Sequence, residues 1–267
     1  MCIRDRLDSL LDPLAGARVV VLVNYRPEYD PGWSERENIL FLPLAPLSHV
    51  EALRLTEALL GDKETHAALS EMLVERTGGN PFFLQEMVRA LAEAGVLGGG
   101  LGAYSKAGAW SGRLVPASVR GVLAARIDRL RPEEKRLLQT AAVIGERFAL
   151  VLLHRLLSDV TPEEINARLQ RLLAAGFVYE ASLLPEPRYA FIHALTQEVA
   201  YEGLVQERRR QLHAALVAVL EATYSARLGE HAEVLAYHAA RGELWARVAL
   251  YARQAGLRAA GQSAYRE

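Results

Sequence analysis

The segment ERTGGNPFFLQEM, residues 75–87, ends one predicted helix and begins another within four residues. Its glycine pair stops the first helix, because glycine adopts the left-handed conformation of a helix C-terminus without a steric penalty. Asn80 is typical of the residue that caps a helix, and Pro81 suits a first turn, where no N–H is needed. The free N–H groups of a helix start can bind an anion, so this corner is a candidate ligand site. The competing interpretation is an ordinary helix–helix corner with its two phenylalanines in the core.

His193 is the second candidate, because it follows the strand-like run RYAFI and begins a predicted helix. Histidine changes charge near neutral pH, so at a helix start it could bind a phosphate group and respond to pH. A buried, hydrogen-bonded histidine at a hinge explains the same pattern, and both interpretations stay open. The other six histidines lack metal-ligand spacing, and the sequence predicts no metal site.

Triphosphate hydrolysis requires a phosphate-binding loop and an acidic residue that positions magnesium and water. The sequence contains no Gly-x-x-x-x-Gly-Lys-Ser/Thr motif, since GLGAYSK has Ser105 where the last glycine would stand. The apolar strand candidate ends in Asn24 rather than in an acidic pair. We therefore predict no catalytic residues here and no ATP hydrolysis by this chain alone.

The composition excludes several classes of function. Of 267 residues, 51% are hydrophobic and 24% are charged, which suits a folded protein with a buried core. Thirty-one basic and 32 acidic residues leave a net charge of −1, so no global field favours nucleic acid or an anionic membrane. Cys2 is the only cysteine, and neither a membrane-spanning run nor a signal peptide is present. The sequence predicts a soluble, cytoplasmic protein.

The beginning of the chain predicts a truncated domain. Residues 1–6, MCIRDR, resemble translated sequencing-adapter DNA, so we expect an artefact there and a natural chain that continues upstream. The run Val19–Val23 is apolar on both faces and predicts a buried strand of a parallel sheet. Because no second strand of this kind lies nearby, we expect an orphan strand from a larger α/β domain. The last residues, GQSAYRE, are likewise expected to stop in mid-helix.

The elements that hold the glycine–proline corner are predicted to be helical. Ser48 and Glu51 form a capping box for a helix that runs to Gly61. A second helix ends at the glycine pair, and a third runs from Pro81 to Ala94. The glycine-rich segment GVLGGGLGAYSKAGAWSGRLVP then predicts a hairpin and a linker.

The elements that hold His193 predict a winged helix. Start and stop signals predict three short helices. The first begins at Pro132 and is closed by Gly145, the second covers about 150–157, and the third runs from Thr161 to Gly176. The strand-like runs FVYEA and RYAFI then form a hairpin. The remaining residues predict helices with closely packing alanines, which favours pairs of the tetratricopeptide (TPR) kind.

Taken in order, these parts resemble the signal-transducing P-loop ATPases with numerous domains (the STAND class). The motifs are a strand ending VNYRPEY, a helical segment with TGGNPFFL, a winged helix closing on FIHALTQEVAYEGLVQERRRQLH, and TPR-like helices. The closest kind is the bacterial proteins related to soluble adenylate/guanylate cyclases, and the similarity covers roughly residues 10–267. It implies a mainly α fold class. Residues 7–43 would be the last part of a P-loop ATPase core with its orphan α/β strand, and residues 44–112 a helical lid with a glycine-rich linker. Residues 113–204 would form a winged helix, and residues 205–267 the first TPR-like helices.

The resemblance also implies ATP or ADP as the ligand, with Mg²⁺ in the intact parent. Arg26 would sense the γ-phosphate, Gly79 and Pro81 would pack against the adenine, and His193 would contact the β-phosphate of ADP. Ala194 stands where related regulators have an aspartate, so the match at His193 is partial. The chain would then be the nucleotide-sensing C-terminal portion of a signal-transduction ATPase. Its contacts would be its own N-terminal core and protein partners of the TPR-like helices, and a cyclase could be linked to it.

The alternative function is a non-enzymatic transcription regulator that places the winged helix on DNA and the TPR-like helices on partners. The basic run QERRRQLH favours it. The third wing helix, however, carries Glu163 and Glu164 against Arg168 and Arg171, without the basic excess that phosphates require. We therefore expect no nucleic-acid partner and no membrane partner.

Overall fold

The computed structural model of the chain describes residues 14, 17–25, 29–30, 32–33, 39–61, 63–106, 118–182 and 186–264. The chain divides into two compact units, residues 46–255 and residues 1–45 together with 256–267. The described residues are mainly helical, as the sequence predicts, with eleven α-helices and five short strands. None of these helices is long and apolar enough to cross a membrane.

Residues 46–106 begin the larger unit, and we call them the lid. They form α1 (His49–Leu60), α2 (Lys63–Thr77), α3 (Pro81–Glu93) and the antiparallel hairpin β1 (Leu97–Gly100) and β2 (Ala103–Lys106). The predicted capping box is present, since the Glu51 carboxylate accepts from Ser48 N at 2.9 Å and Ser48 Oγ accepts from Glu51 N. Apolar side chains from α1, α2, α3 and β1 share one core, and this core fixes the position at which α3 begins.

Residues 118–191 have the element order of a winged helix, and we call them the wing. They form α4 (Val119–Arg129), α5 (Pro132–Ile144), β3 (Arg147–Ala149), α6 (Leu150–Leu156), α7 (Pro162–Ala174), β4 (Val178–Ser182) and β5 (Arg188–Phe191). The two predicted strands pair as a hairpin, and the short β3 joins them to give the sheet order β3-β5-β4. The wing core takes apolar residues from α4 to α7 and from all three strands.

The chain after the wing is helical throughout its described length. It forms α8 (Ala194–Glu202), α9 (Gln206–Thr223), a 3₁₀ segment (Ser225–His231), α10 (Ala232–Arg241) and α11 (Trp245–Ala264). Leu216 and Val217 of α9 share a core with Leu235 and Ala239 of α10, so these two helices pack as a pair. The predicted break at Gly242 is present between α10 and α11.

The structure differs from the sequence-based expectation at Val19–Val23. Residues 17–25 form no strand, and Val20 and Leu22 are 95% and 89% exposed. A strand is stable only when a neighbour pairs its N–H and C=O groups, and the described residues offer this segment no such neighbour. The propensity of a β-branched run does not replace that missing partner.

Candidate functional site

The glycine–proline corner forms at the junction between α2 and α3. Gly78 and Gly79 both have positive φ angles, +56° and +75°, as a helix stop of this kind requires. Gly79 is also held against the segment before α1, because its carbonyl accepts from Leu47 N at 2.9 Å. A Cβ at Gly79 would lie 2.2 Å from Leu47 O, whereas one at Gly78 would meet no atom within 4 Å. Close backbone packing therefore explains Gly79 without any ligand.

The start of α3 separates the two phenylalanines into different environments. Asn80 caps the helix as predicted, since its Oδ1 accepts from Phe83 N at 3.0 Å. Phe83 is buried in the lid core. Phe82 is half-buried and packs against the wing core instead, and Pro81 stays exposed beside it. The corner is therefore both a helix joint and a contact between lid and wing.

His193 lies at this same contact. It caps α8, and its Nδ1 accepts from Leu195 N at 3.0 Å. The His193 imidazole stacks on the Phe82 ring with the centroids 4.1 Å apart and the planes 13° from parallel. His193 is exposed rather than buried, and the described residues provide no hydrogen-bond partner for its Nε2. The structure thus brings two sequence-predicted site regions together at one surface position.

A buried ionic cluster, which the sequence analysis missed, joins α3 to the wing. Arg126 of α4 is 1% exposed, and its guanidinium donates to Glu86, to Glu93 Oε1 at 2.6 and 2.9 Å, and to Ala175 O at 2.8 Å. The guanidinium carbon also lies 4.6 Å from the ring centroid of Phe177. Burial opposes the charge of Arg126, but the hydrogen bonds to Glu93 and the charges of both glutamates raise its pKa above the ordinary value. Arg126 therefore stays charged, and each of its three guanidinium nitrogens donates a hydrogen bond.

Arg89 extends this ionic cluster along α3. Its Nη1 donates to Glu86 Oε1 and to Gly176 O, both at 3.2 Å. Glu86 is 1% exposed and lies on the same helix as the buried residues Met87 and Val88. A charged residue inside an otherwise apolar helix stripe was the available sequence signal, because burying a charge is costly unless it is paired. That signal indicates a partner but does not identify it.

The basic residues proposed for DNA make contacts within the chain. Arg209 donates to the carbonyl oxygens of Leu204 and Glu202, both at 2.8 Å. Arg210 pairs with Glu207 at 2.9 Å and with Glu243 at 3.4 Å. On α7, Arg171 donates to Glu134 at 2.5 Å. Arg171 and Arg210 are paired with carboxylates, and the donors of Arg209 are engaged by backbone carbonyl groups, which reduces the positive charge offered to a phosphate backbone.

Two further points of the sequence analysis concern Arg26 and metal binding. Arg26 lies outside the residues that the structure describes, so its predicted γ-phosphate role stays a prediction. Within the described residues, no group of three or more His, Cys, Asp or Glu side chains could hold a metal ion.

The comparisons with known proteins give a distant relationship. No family model matches the chain. Over 247 residues the chain is 25% identical to an uncharacterized protein of Rhizobium meliloti (strain 1021). The match covers 90% of this chain and 23% of that relative, so the chain spans about a quarter of the relative's length. This similarity carries no functional description to the corner or to His193.

Proposed function

We propose that this chain is the nucleotide-sensing lid and wing of a STAND-type signal-transduction ATPase, with an adenine nucleotide bound at the corner. In this proposal Pro81 faces the adenine and His193 Nε2 reaches a phosphate oxygen. The carrying observation is the Phe82–His193 stack, which joins the predicted base-binding corner to the predicted phosphate-binding histidine. The exposure of Pro81 and the unpartnered His193 Nε2 leave both groups available for a ligand.

The proposed mechanism is a change in how the lid and wing are held. A nucleotide that contacts both α3 and the start of α8 would favour one arrangement of lid and wing over another. The size of the shift depends on how much more tightly the nucleotide binds that arrangement. In the parent protein, an upstream ATPase core would supply the phosphate-binding loop and Mg²⁺, and Arg26 would distinguish ATP from ADP. The TPR-like helices would pass the change to protein partners, and the output could be a linked cyclase.

The test is calorimetric titration of the 267-residue chain with ADP, together with the variants His193→Ala and His231→Ala. His231 is a matched control, because it stacks on Tyr224 with centroids 4.3 Å apart but lies far along the sequence in the 3₁₀ segment. We expect His193→Ala to weaken ADP roughly tenfold, the effect of one hydrogen bond to a charged group. His231→Ala should leave the affinity unchanged.

Three outcomes would overturn this proposal. One is the absence of ADP binding by the unaltered chain, and another is equal weakening by both histidine variants. The third is strong, salt-dependent binding of duplex DNA by the unaltered chain, which would favour the transcription regulator instead.

A further inference from the structure

Three exposed arginines from different elements lie around the end of α9, and we call them the arginine cluster. Arg155 belongs to α6, Arg188 begins β5, and Arg227 lies in the 3₁₀ segment. The residue at their centre is Tyr224, which caps the C-terminus of α9 and is half-buried. Neither the glycine–proline corner nor His193 contributes to this group.

Backbone and side-chain contacts hold two members of the arginine cluster next to Tyr224. Arg155 Nη1 donates to Thr223 Oγ1 at 2.9 Å, one residue before Tyr224. Arg227 N donates to Tyr224 O at 2.8 Å, so Arg227 lies in the turn that follows α9. The end of α9 therefore positions one arginine of its own turn and one of α6.

Arg188 comes from the wing sheet. It pairs with Ala149 across β3 and β5, and the preceding carbonyl, Pro187 O, accepts from Leu150 N at 3.0 Å. Since Leu150 is the first residue of α6, the start of β5 lies against the helix that carries Arg155.

The charges of all three arginines act on the Tyr224 hydroxyl. Burial raises the pKa of Tyr224 and the charge of Glu186 adds to the rise, whereas the charges of Arg188, Arg227 and Arg155 oppose it. Three cations from three elements therefore surround one phenol group.

Carboxylates compensate only part of this positive charge. Arg188 donates to the Glu186 carboxylate. Arg227 lies 3.9 Å from Glu230, and because both side chains are more than half exposed this pair contributes little. Arg155 has no carboxylate partner among the described residues, where its side chain bonds only to the Thr223 hydroxyl. Like charges that are held close together repel, so an anion bound between them would stabilise the arginine cluster.

The Tyr224 hydroxyl is a second feature that points to a ligand. The Tyr224 ring stacks on His231 with the centroids 4.3 Å apart, and this contact holds its orientation. Its hydroxyl makes no hydrogen bond to the described residues, and it is not one of their sealed unpartnered atoms, which are His154 Nε2 and Gln254 Oε1. Solvent therefore reaches it. Because the pKa of Tyr224 is raised, the phenol keeps its proton and can donate to an anion.

The number of donors favours a phosphate group over a carboxylate. A carboxylate has two oxygens, and a single guanidinium group can pair with both. A phosphate monoester carries about −1.5 to −2 charges at neutral pH and has three strong acceptor oxygens. Three guanidinium groups and a phenol hydroxyl match that larger charge and number of acceptors.

We propose that the arginine cluster and the Tyr224 hydroxyl bind a phosphate group, either as inorganic phosphate or as a small phosphate monoester. Arg155, the member without a carboxylate, makes a charge-assisted hydrogen bond to it, and the Tyr224 hydroxyl donates another. This site is independent of the nucleotide proposed at the corner.

The first experiment is NMR titration of the full chain with phenyl phosphate, read from the ring signals of Tyr224 and His231. Low ionic strength is used because salt screens exposed charges. Arg155→Gln should weaken binding roughly fivefold, the effect of one exposed charge-assisted hydrogen bond. Arg120→Gln is the matched control. It removes the same charge from an arginine that is 48% exposed and pairs with two glutamates of α8, so binding should stay within a factor of about two.

Two further titrations test the hydroxyl and the charge of the ligand. Tyr224→Phe keeps the ring that stacks on His231 but removes the donor, and it should weaken phenyl phosphate roughly threefold. Trimethyl phosphate, which has a phosphoryl oxygen but no charge, should not shift the ring signals of the unaltered chain.

Inorganic phosphate, titrated in parallel, identifies the source of the group. Tighter binding of phenyl phosphate indicates a monoester, and equal or weaker binding indicates free phosphate. His193→Ala should change neither affinity, so this result is distinct from the ADP titration that tests the corner.

Four outcomes would overturn the phosphate site. They are equal shifts with trimethyl phosphate, equal effects of Arg155→Gln and Arg120→Gln, full binding by Tyr224→Phe, and no shift of the Tyr224 signals with either phosphate. Circular dichroism of each variant verifies that the compared proteins are folded.

Discussion

Two polar contacts within residues 46–255 use opposite chemistry. Between lid and wing, the buried Arg126 forms an ionic cluster with the buried Glu86 and the partly exposed Glu93. Between α8 and the α9–α10 pair, a neutral chain runs from Tyr201 through His213 to His238, with contacts of 3.0 and 2.9 Å. The raised pKa of Arg126 keeps its guanidinium charged, whereas the lowered pKa values of His213 and His238 mean that this neutral pair gains charge only in acid. The first contact is therefore suited to rigidity and the second to a response to pH.

The largest expected effect comes from breaking the ionic contact. Arg126→Met removes the buried cation of Glu86 and leaves that carboxylate only the partly exposed Arg89, so we expect it to lower the free energy of unfolding by about 3 kcal/mol. The measurement is chemical denaturation at neutral pH. Arg120→Met is the control, because Arg120 pairs with two glutamates but keeps 48% of its side chain exposed, so about 1 kcal/mol or less is expected.

The double variant Arg126→Met/Glu86→Leu sharpens this test. Replacing both members of a buried pair with apolar residues is often neutral, so most of the lost stability should return. If Arg126→Met costs no more than Arg120→Met, the ionic cluster does not hold the lid to the wing.

Acid should weaken the histidine contact next in size. Burial lowers the pKa of His213 to about 4 and that of His238 to about 3, from 6.5 in the unfolded chain. The unfolded chain therefore takes up protons first, and the stabilising contribution of neutral histidines, complete above pH 6.5, is lost as pH falls toward 3. We expect a loss of at least about 2–3 kcal/mol between pH 7 and pH 4, which is the contribution of one histidine, since one pKa unit is worth about 1.4 kcal/mol.

The measurement for the histidine contact is unfolding free energy against pH. The double variant His213→Gln/His238→Gln should lose less unfolding free energy between pH 7 and pH 4 than the unaltered chain does. His49→Gln should not reduce this loss, because the His49 side chain is 59% exposed. Arg126 gives the contrast, because its raised pKa stabilises the fold at every pH below the ordinary pKa of an arginine. If the double variant loses as much unfolding free energy in acid as the unaltered chain does, the two contacts do not differ in their response to pH.

The glycine pair should show a smaller effect, confined to the lid side. Gly78→Ala places a side chain at positive φ in open space and should cost about 1 kcal/mol. Gly79→Ala adds a clash with Leu47 O and should cost about 2–3 kcal/mol. Thermal denaturation of both variants measures the difference. Equal costs would show that the approach of Leu47 does not restrict Gly79.

The smallest stability effect is expected at Pro81. Pro81→Ala changes an exposed side chain in a first turn that tolerates alanine, so about 1 kcal/mol or less should be lost. Affinity for ATP and ADP should fall together, because both carry adenine. Calorimetric titration and melting temperature, measured on the same preparation, separate the two effects. A sharp drop in melting temperature with unchanged nucleotide affinity would leave the corner as a helix joint only.

The positions of most helices follow from interactions within a few residues, and the sequence alone predicts these. Ser48 with Glu51 and Thr161 with Glu164 close their capping boxes across three residues, and Gly145 ends α5 where predicted. The hairpin of β4 and β5 is likewise local, because its strands are adjacent along the chain. The three-residue strand β3 was missed, since its pairing with β5 is a contact between distant segments.

The contacts that define the candidate sites depend on tertiary structure. Pro81 and His193 could be selected from the sequence because of their residue types and places at helix starts, but no local rule pairs Phe82 with His193. The partners of Arg126 and of His238 are also distant along the chain. A helix-start signal needs only a side chain and the backbone groups within a few residues of it. The partner of a buried charged or aromatic side chain depends instead on which surfaces come together when the cores pack. The sequence therefore determined most helices and their ends, and only the folded chain decided which strands pair and which charged and aromatic groups meet.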